Sequence, residues 1–336
     1  MKPRVLTGIT TTGIPHLGNY VGAIRPTVRA SQDDGFDSFL FLADLHALVK
    51  CDEPARVRRS RLHIAASWLA AGLDPGRVTL YRQSDIPEIP ELTWMLGCVT
   101  AKGLMNRAHA YKAAVERNHA AGDDPDAGIS MGLYSYPVLM AADILLFNAA
   151  FVPVGRDQIQ HVEMARDIAQ RFNRVFGDVK GPFVLPQAQV EEHVATLPGL
   201  DGRKMSKSYD NTIMLFEGGT KKLQASIRRI VTDSRVPGEP KDAENSQLYA
   251  IYRAFAAADE AARFRAELEY GLGWGAAKDR LYQLIESELA PMRERYETLI
   301  ARPDDIDDVL LDGARKARAI AIPFMEQLRA AVGLRG

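Results

Sequence analysis

The sequence predicts an α/β fold, a doubly wound parallel sheet followed by an all-α second domain. Three observations carry this. Apolar runs of strand length at 4–9, 38–42 and 78–81 alternate with stretches of helical spacing, as in a sheet built by crossover connections. A Gly-rich turn within 7–23 (TGITTTGIPHLGNYVGA) joins the first strand to the first helix, and such turns leave backbone N–H groups free to meet an anion. Beyond Gly218 the strand signals stop and only helical periodicity remains. A length of 336 residues with 46% apolar and 25% charged residues suits a globular chain of this kind.

Residues 4–9 read as a buried strand and 17–30 as the helix after it, bent or shortened by Pro26. The run SFLFL at 38–42 is a second strand, ending at Ala43-Asp44-Leu45-His46. Two acids and a proline at 52–54 open the next helix. Leu62, Ala65, Ala66 and Leu69 keep its one buried face, and Gly72 and Pro75 stop it before the strand at 78–81. Ligands of such sheets sit beyond the carboxyl ends of the strands, so 10–19, 44–46 and 83–85 share one rim. Between 102 and 131 the pattern weakens, and the Gly, Asp and Pro cluster at 122–128 reads as a mobile loop fit for a lid. Helix is expected at 137–148, strand at 151–154, helix at 157–172 opening at Gly155, and another short buried run at 183–185. The Gly-, Lys- and Ser-rich stretch 201–211 is a loop. Helices follow at 219–231, 245–257, 260–270, 276–289 and 306–332, with Leu281, Leu284, Ile285, Leu289 and Met292 as a bundle-core stripe.

Several classes are excluded. A net charge of −1 means that a nucleic acid must be met by a local basic patch. Two cysteines, Cys51 and Cys98, make neither a zinc quartet nor a disulfide scaffold, and fit a reducing cytoplasm. The start MKPRVLTGI lacks the apolar core of a signal peptide. Residues 134–154 are long enough to cross a bilayer, but Asp143, Asn148 and prolines at 137 and 153 speak for a buried helix and strand, with no membrane.

Lys204-Met205-Ser206-Lys207-Ser208 is the sharpest motif, since a given five-residue string arises by chance in roughly one chain in ten thousand of this length. Its two lysines and intervening hydroxyls can wrap a triphosphate, most usefully as pyrophosphate leaves. With Pro15-His16-Leu17-Gly18-Asn19 far upstream, the chain resembles the class I aminoacyl-tRNA synthetases, which pair a His-Ile-Gly-His-like turn with a Lys-Met-Ser-Lys-Ser loop. Asn19 in place of the last His, followed by Tyr20-Val21-Gly22-Ala23, is similar to the tryptophanyl branch. So are Gln83-Ser84-Asp85-Ile86-Pro87, the stretch from Tyr136 to Leu145 and Val152-Pro153-Val154-Gly155-Arg156-Asp157-Gln158.

The resemblance implies a Rossmann-like catalytic domain over 1–205, a helical anticodon-binding domain over 210–304, and a last helix at about 305–332 free to pack back on the first. It implies ATP with Mg²⁺, L-tryptophan and tRNA(Trp) as ligands, and a homodimer. His16, Asn19, Lys112, Lys204 and Lys207 would carry catalysis. The ATP site would comprise Thr10, Thr11, Thr12, Gly18, Asn19, Gly155, Arg156, Asp157, Val194 and Lys204 to Ser208, Met205 and Ser206 included. Magnesium would be held by phosphates and water, with no protein metal ligand. Thr10 and Leu6 depart from the family, which often has glutamine and an aromatic residue there.

The residues argue for tryptophan on their own account. Asp143 lies on an otherwise apolar helix beside Met140 and Ile144. A buried carboxylate needs a donor, and an indole N–H is donor only; a core aspartate satisfied by backbone is the alternative. Hydrogen-bond readout of this sort discriminates by about 10⁴–10⁵. The resemblance adds Tyr136, Met140, Leu6, Val152 and Val154 as walls, with Gln158 and His46 for the ammonium and carboxylate ends. Lys221, Lys222, Arg228 and Arg229 are either tRNA phosphate contacts or a solvated helix face. Two rival functions are a tyrosyl-tRNA synthetase, disfavoured by AADILL and Gly-x-Asp-Gln, and a non-catalytic RNA-binding paralogue, disfavoured by the intact motifs.

Overall fold

The computed structural model describes residues 2–177, 181–190 and 197–335. Its sheet comprises β1 (Arg4–Thr10), β2 (Asp37–Ala43), β3 (Thr79–Arg82), β4 (Phe151–Val154) and β5 (Gln187–Val190), all parallel, in the order β3-β2-β1-β4-β5. This is a doubly wound sheet whose direction of winding reverses between β1 and β4, the switch point where such folds bind ligands. β1 and β4 meet through one pairing, Val5 with Phe151, while β1 and β2 pair from Arg4–Asp37 to Thr10–Ala43. The gap beyond Val5 is where a cavity opens.

The unbroken apolar run of β2 follows from its central place. Leu40 and Leu42 enter the core on one face of the sheet, and Phe39 and Phe41 enter that on the other. After β1 the chain enters α1 (Leu17–Asn19), a π-helical turn at Tyr20–Ile24 and α2 (Arg25–Ala30) as one continuous helix. Pro26 does not end it. The helix widens just before the proline, with the Arg25 N–H bonded to the Tyr20 carbonyl, and this avoids the clash of a proline ring with the preceding turn.

α3 (Asp44–Ala47) and α4 (Pro54–Ala70) lead to β3, Pro54 occupying the first turn of α4. α5 (Glu88–Val99), α6 (Lys102–Met105), α7 (His109–Ala121) and α8 (Met131–Leu146) connect β3 to β4. α7 corrects the reading of 102–131 as weakly patterned. It buries only Ala114 of its own residues, so it has no apolar stripe to reveal it, and it ends at Gly122 with φ +78°. α9 (Ile159–Phe176) leads to β5. The apolar run at 183–185 is not the strand: Phe183 is a core residue packed on Phe172 and Phe324. The strand is the polar β5 at the sheet edge, too exposed to carry a hydrophobic signal.

α10 (Gly219–Arg228), α11 (Gln247–Phe255), α12 (Ala258–Glu269), α13 (Trp274–Ile300) and α14 (Pro303–Ala331) complete the chain. α13 is longer than the expected 276–289 and continues through Pro291. Leu281, Ile285 and Leu289 are fully buried, with Leu284 and Met292 packed beside them. One hydrophobic core runs from Leu40 on the sheet, through Leu17 and Trp68 of the helices on that face, into Leu248, Phe264 and Leu281 of α11, α12 and α13. α14 crosses the β3 edge, placing Ile306 and Leu310 in that core and Ala317, Met325 and Leu328 in the other. At the crossing a Cβ on Gly313 would lie 1.7 Å from the Leu80 carbonyl oxygen, so only glycine allows the helix to cover this edge.

Candidate active site

The turn after β1 is built around His16. Its Nδ1 accepts the Asn19 N–H at 3.3 Å, and Asn19 Oδ1 accepts the His16 N–H at 3.1 Å, a reciprocal cap on α1. Burial, then the charge of Lys207, lowers the His16 pKa to about 4, so the ring is a neutral acceptor at physiological pH. The loop carrying Lys204–Ser208 is seated on this turn. Met205 is buried, and the Gly18 N–H points at its sulfur at 3.4 Å. Asn211, 2% exposed, staples the loop from within: its Oδ1 accepts the Ser206 N–H at 2.8 Å, and its Nδ2 donates to Asp201 Oδ1 at 2.7 Å and to the Lys204 carbonyl at 3.2 Å.

Lys207 is exposed as a residue, but its ammonium lies over Gly13, where a Cβ would stand 2.5 Å from Nζ. Desolvation there, aided by the charge of Arg56, holds its pKa down to about 8. Ser206 Oγ accepts the Ser208 N–H at 3.3 Å, and Lys204 projects into solvent. The two motifs, distant in sequence, lie against each other, a neutral helix-opening turn and a loop with cationic tips, an arrangement suited to a polyphosphate.

Behind the two motifs, between β1 and β4, lies a cavity of about 480 Å³. Leu6, Thr10, Thr12, His46, Tyr136, Met140, Asp143, Val152, Val154, Gly155 and Gln158 line it. Its walls are mainly apolar and its buried charge is Asp143, 1% exposed. Burial raises the Asp143 pKa, while His46 and Gln83 act in the opposite direction. His46 Nε2 lies 2.8 Å from Asp143 Oδ2. Gln83, wholly buried, donates from Nε2 to both carboxylate oxygens at 2.8 and 2.9 Å. Its Oε1 accepts the N–H groups of Leu45 and His46 at 3.1 and 3.3 Å. Gln83 thus locks the start of α3 to the end of β3 and aims the carboxylate.

A second chain of contacts fixes the other wall. The Tyr136 hydroxyl meets His161 Nε2 at 2.6 Å, His161 Nδ1 meets Gln158 Oε1 at 3.0 Å, and Gln158 Nε2 donates to Asp157 Oδ2 at 2.9 Å. His46 and Gln158 are therefore engaged with protein partners.

The other expected residues fall around this centre. Arg156 and Asp157 are exposed after β4, and a Cβ on Gly155 would stand 2.8 Å from Asp157 Oδ1. Lys112 is exposed on α7, whose Ala110 borders the cavity. Thr11 does not face the cavity: it is fully buried and its hydroxyl makes no hydrogen bond among the described residues. Val194 lies outside the described residues. Sequence reasoning placed Gln83 on the rim without a role and missed Asn211, His161 and Ser60. Each is an ordinary polar residue in the sequence, and only spatial partners reveal its work.

The family model described as tRNA synthetases class I (W and Y) matches residues 1–290. A Pseudomonas aeruginosa protein named tryptophan–tRNA ligase is 69% identical over 335 residues, covering 100% of this chain and 75% of the relative. A Bordetella parapertussis protein of the same name is 67% identical over 334 residues, covering 99% and 74%. The solved structure of tryptophanyl-tRNA synthetase from Campylobacter jejuni, complexed with ADP and tryptophan, has a TM-score of 0.88 at 41% identity, covering 98% of this chain and 99% of that one.

Proposed function

The chain belongs to the class I tRNA synthetases of the tryptophan and tyrosine group, and from that premise we propose how its own residues carry out the reaction. It is a tryptophan–tRNA ligase: L-tryptophan and ATP give tryptophanyl-adenylate and pyrophosphate, and tryptophan then passes to tRNA. The observation that supports the residue-level reading is the seating of Met205 on Gly18, which brings Lys207 over the turn at the mouth of the Asp143 cavity.

The substrate carboxylate, already ionised, attacks the α-phosphorus of Mg·ATP. A carbon–oxygen–phosphorus link forms, the bond to the β-phosphate oxygen breaks, and its electron pair leaves with pyrophosphate. No proton must move, so positioning and electrostatics supply the acceleration. Lys204, Lys207 and Lys112 meet the developing charge, while His16, Asn19, Gly18, Thr10 and Thr12 hold the phosphates. Gly155 admits the ribose, Asp157 accepts from its hydroxyls with Arg156 beside it, and Met205 offers a backbone group to adenine. Magnesium arrives with the nucleotide, held by phosphate and water. In the second step the terminal ribose 2′-hydroxyl of tRNA takes the acyl group and AMP leaves.

Asp143 accepts the indole N–H. A carboxylate offers about four lone-pair positions; Gln83 and His46 occupy three, and one remains toward the cavity. Phenylalanine leaves that position unpaired in a buried site. The segment 210–304 reads the anticodon, with exposed Lys221, Lys222, Arg228 and Arg229 meeting phosphates. The active form is a homodimer joined near α5, which exposes Trp94. Free Cys51 and Cys98 suit the cytoplasm, and no described helix is long and apolar enough to cross a membrane.

The test is pyrophosphate exchange into ATP, run with each amino acid in turn. Exchange with tryptophan is expected; exchange with tyrosine alone, or with none, overturns the assignment. Asp143→Ala should lose the preference for tryptophan over phenylalanine with KM for ATP unchanged, and parent-like selectivity would remove Asp143 from the indole site.

A further inference from the structure

Arg56 stands on the first turn of α4 and Ser60 one turn further on the same face. Both reach the turn after β1. Arg56 Nε and Nη2 donate to the Thr12 carbonyl at 3.3 and 3.2 Å. The Ser60 hydroxyl, on a residue 1% exposed, accepts the Gly13 N–H at 2.8 Å and donates to the Gly13 carbonyl at 3.1 Å. The ammonium of Lys207 rests on this same Gly13. One cation thus grips Thr12 and a second lies over Gly13, the next residue of the turn, and the charge of Arg56 acts to lower the pKa of Lys207.

Like charges held this close repel unless an anion lies with them. Among the described residues no carboxylate pairs with Lys207 or Lys204, and the one beside Arg56, Glu53 at 3.6 Å, is 66% exposed. A guanidinium carries five N–H donors; the Thr12 carbonyl takes two, and three remain.

We propose that Arg56 binds the polyphosphate of ATP, and the pyrophosphate that leaves, as the partner cation of Lys207. The inference rests on the reading of His16–Asn19 and Lys204–Ser208 as phosphate jaws. Arginine suits this place because its planar fork can hold a phosphate and a carbonyl at once. Charge that builds on the departing oxygens meets a cation already oriented by Thr12.

Arg56→Gln removes the charge and keeps an amide able to donate to the Thr12 carbonyl; Arg56→Lys keeps the charge. In tryptophan-dependent exchange, R56Q is expected to raise KM for ATP and for pyrophosphate about tenfold, with KM for tryptophan unchanged and R56K in between. Lys207, its pKa held down to about 8, should give the parent an alkaline rise in KM for ATP, and this rise should move to higher pH in R56Q. A purely structural Arg56 predicts KM values for ATP and pyrophosphate within about twofold of the parent in R56Q, and that result overturns the proposal. The underlying phosphate reading fails in a different way: Lys207→Ala would then retain the parent KM for ATP, and the case for Arg56 falls with it.

Discussion

Replacing Gln83 by Met keeps the length and bulk of the side chain and removes all its hydrogen bonds. The parent amide donates to both oxygens of Asp143 at 2.8 and 2.9 Å and accepts the N–H groups of Leu45 and His46 at 3.1 and 3.3 Å. Gln83 is 0% exposed and Asp143 1%, so water cannot step in. Losing a donor to a buried carboxylate costs about 1.5–3 kcal/mol, and stranding the two backbone donors adds about 1–3 kcal/mol. The expected loss at neutral pH is therefore about 2.5–6 kcal/mol. It also has a pH signature. Burial holds the Asp143 pKa above 3.8, against the pull of His46 and Gln83. From 3.8 up to the native value the folded chain binds more protons than the unfolded one, so stability falls as pH rises through that window. Without Gln83 the native value climbs and the window widens. The Met variant should thus be least impaired in acid, where the carboxyl is protonated in both states, and most impaired at neutrality. Urea unfolding across a pH series measures this, and exchange kinetics should show a raised KM for tryptophan with KM for ATP little changed. A variant within about 1 kcal/mol of the parent at neutral pH, with parent KM for tryptophan, refutes the claim that Gln83 aims Asp143.

Three further outcomes are expected. Between about 4 and 6.5 the unfolded chain takes up a proton at His16 that the folded chain refuses, so stability should fall as pH drops through that range; His16→Asn should flatten that part of the urea-midpoint profile. Gly13→Ala puts a methyl where the Lys207 ammonium now lies, 2.5 Å from Nζ; the flexible lysine yields, so thermal stability should hold while KM for ATP rises severalfold, and an unchanged KM would mean that Lys207 is not seated for phosphate. Gly313→Ala drives a methyl to 1.7 Å from the Leu80 carbonyl oxygen, fixed backbone on both sides; a loss of about 1–3 kcal/mol or more should appear in thermal unfolding, and an unaltered Tm would deny that α14 lies on β3.

The sequence by itself determined the features that are contiguous along the chain. The SFLFL run announced a strand, Pro54 announced the start of a helix, and Lys204–Ser208 and His16–Asn19 announced a loop and a helix-opening turn, the pair proposed here to hold phosphate, because each is a local pattern with a local cause. Periodicity reports which side of an element is buried, so it fell silent for α7, whose own buried residue is Ala114, and for the edge strand β5. The tertiary structure decided what depends on sheet order and helix crossing. Order β3-β2-β1-β4-β5 leaves β1 and β4 joined at Val5 alone and so makes the cavity. It brings Gln83 from the end of β3 and His46 from α3 onto Asp143 of α8, and it lays Arg56 and Ser60 of α4 against the turn that Lys207 covers. No single stretch of sequence records these meetings, since each partner alone is an ordinary polar residue; it is the packing of distant elements that gives it a buried carboxylate or a turn's backbone to bond.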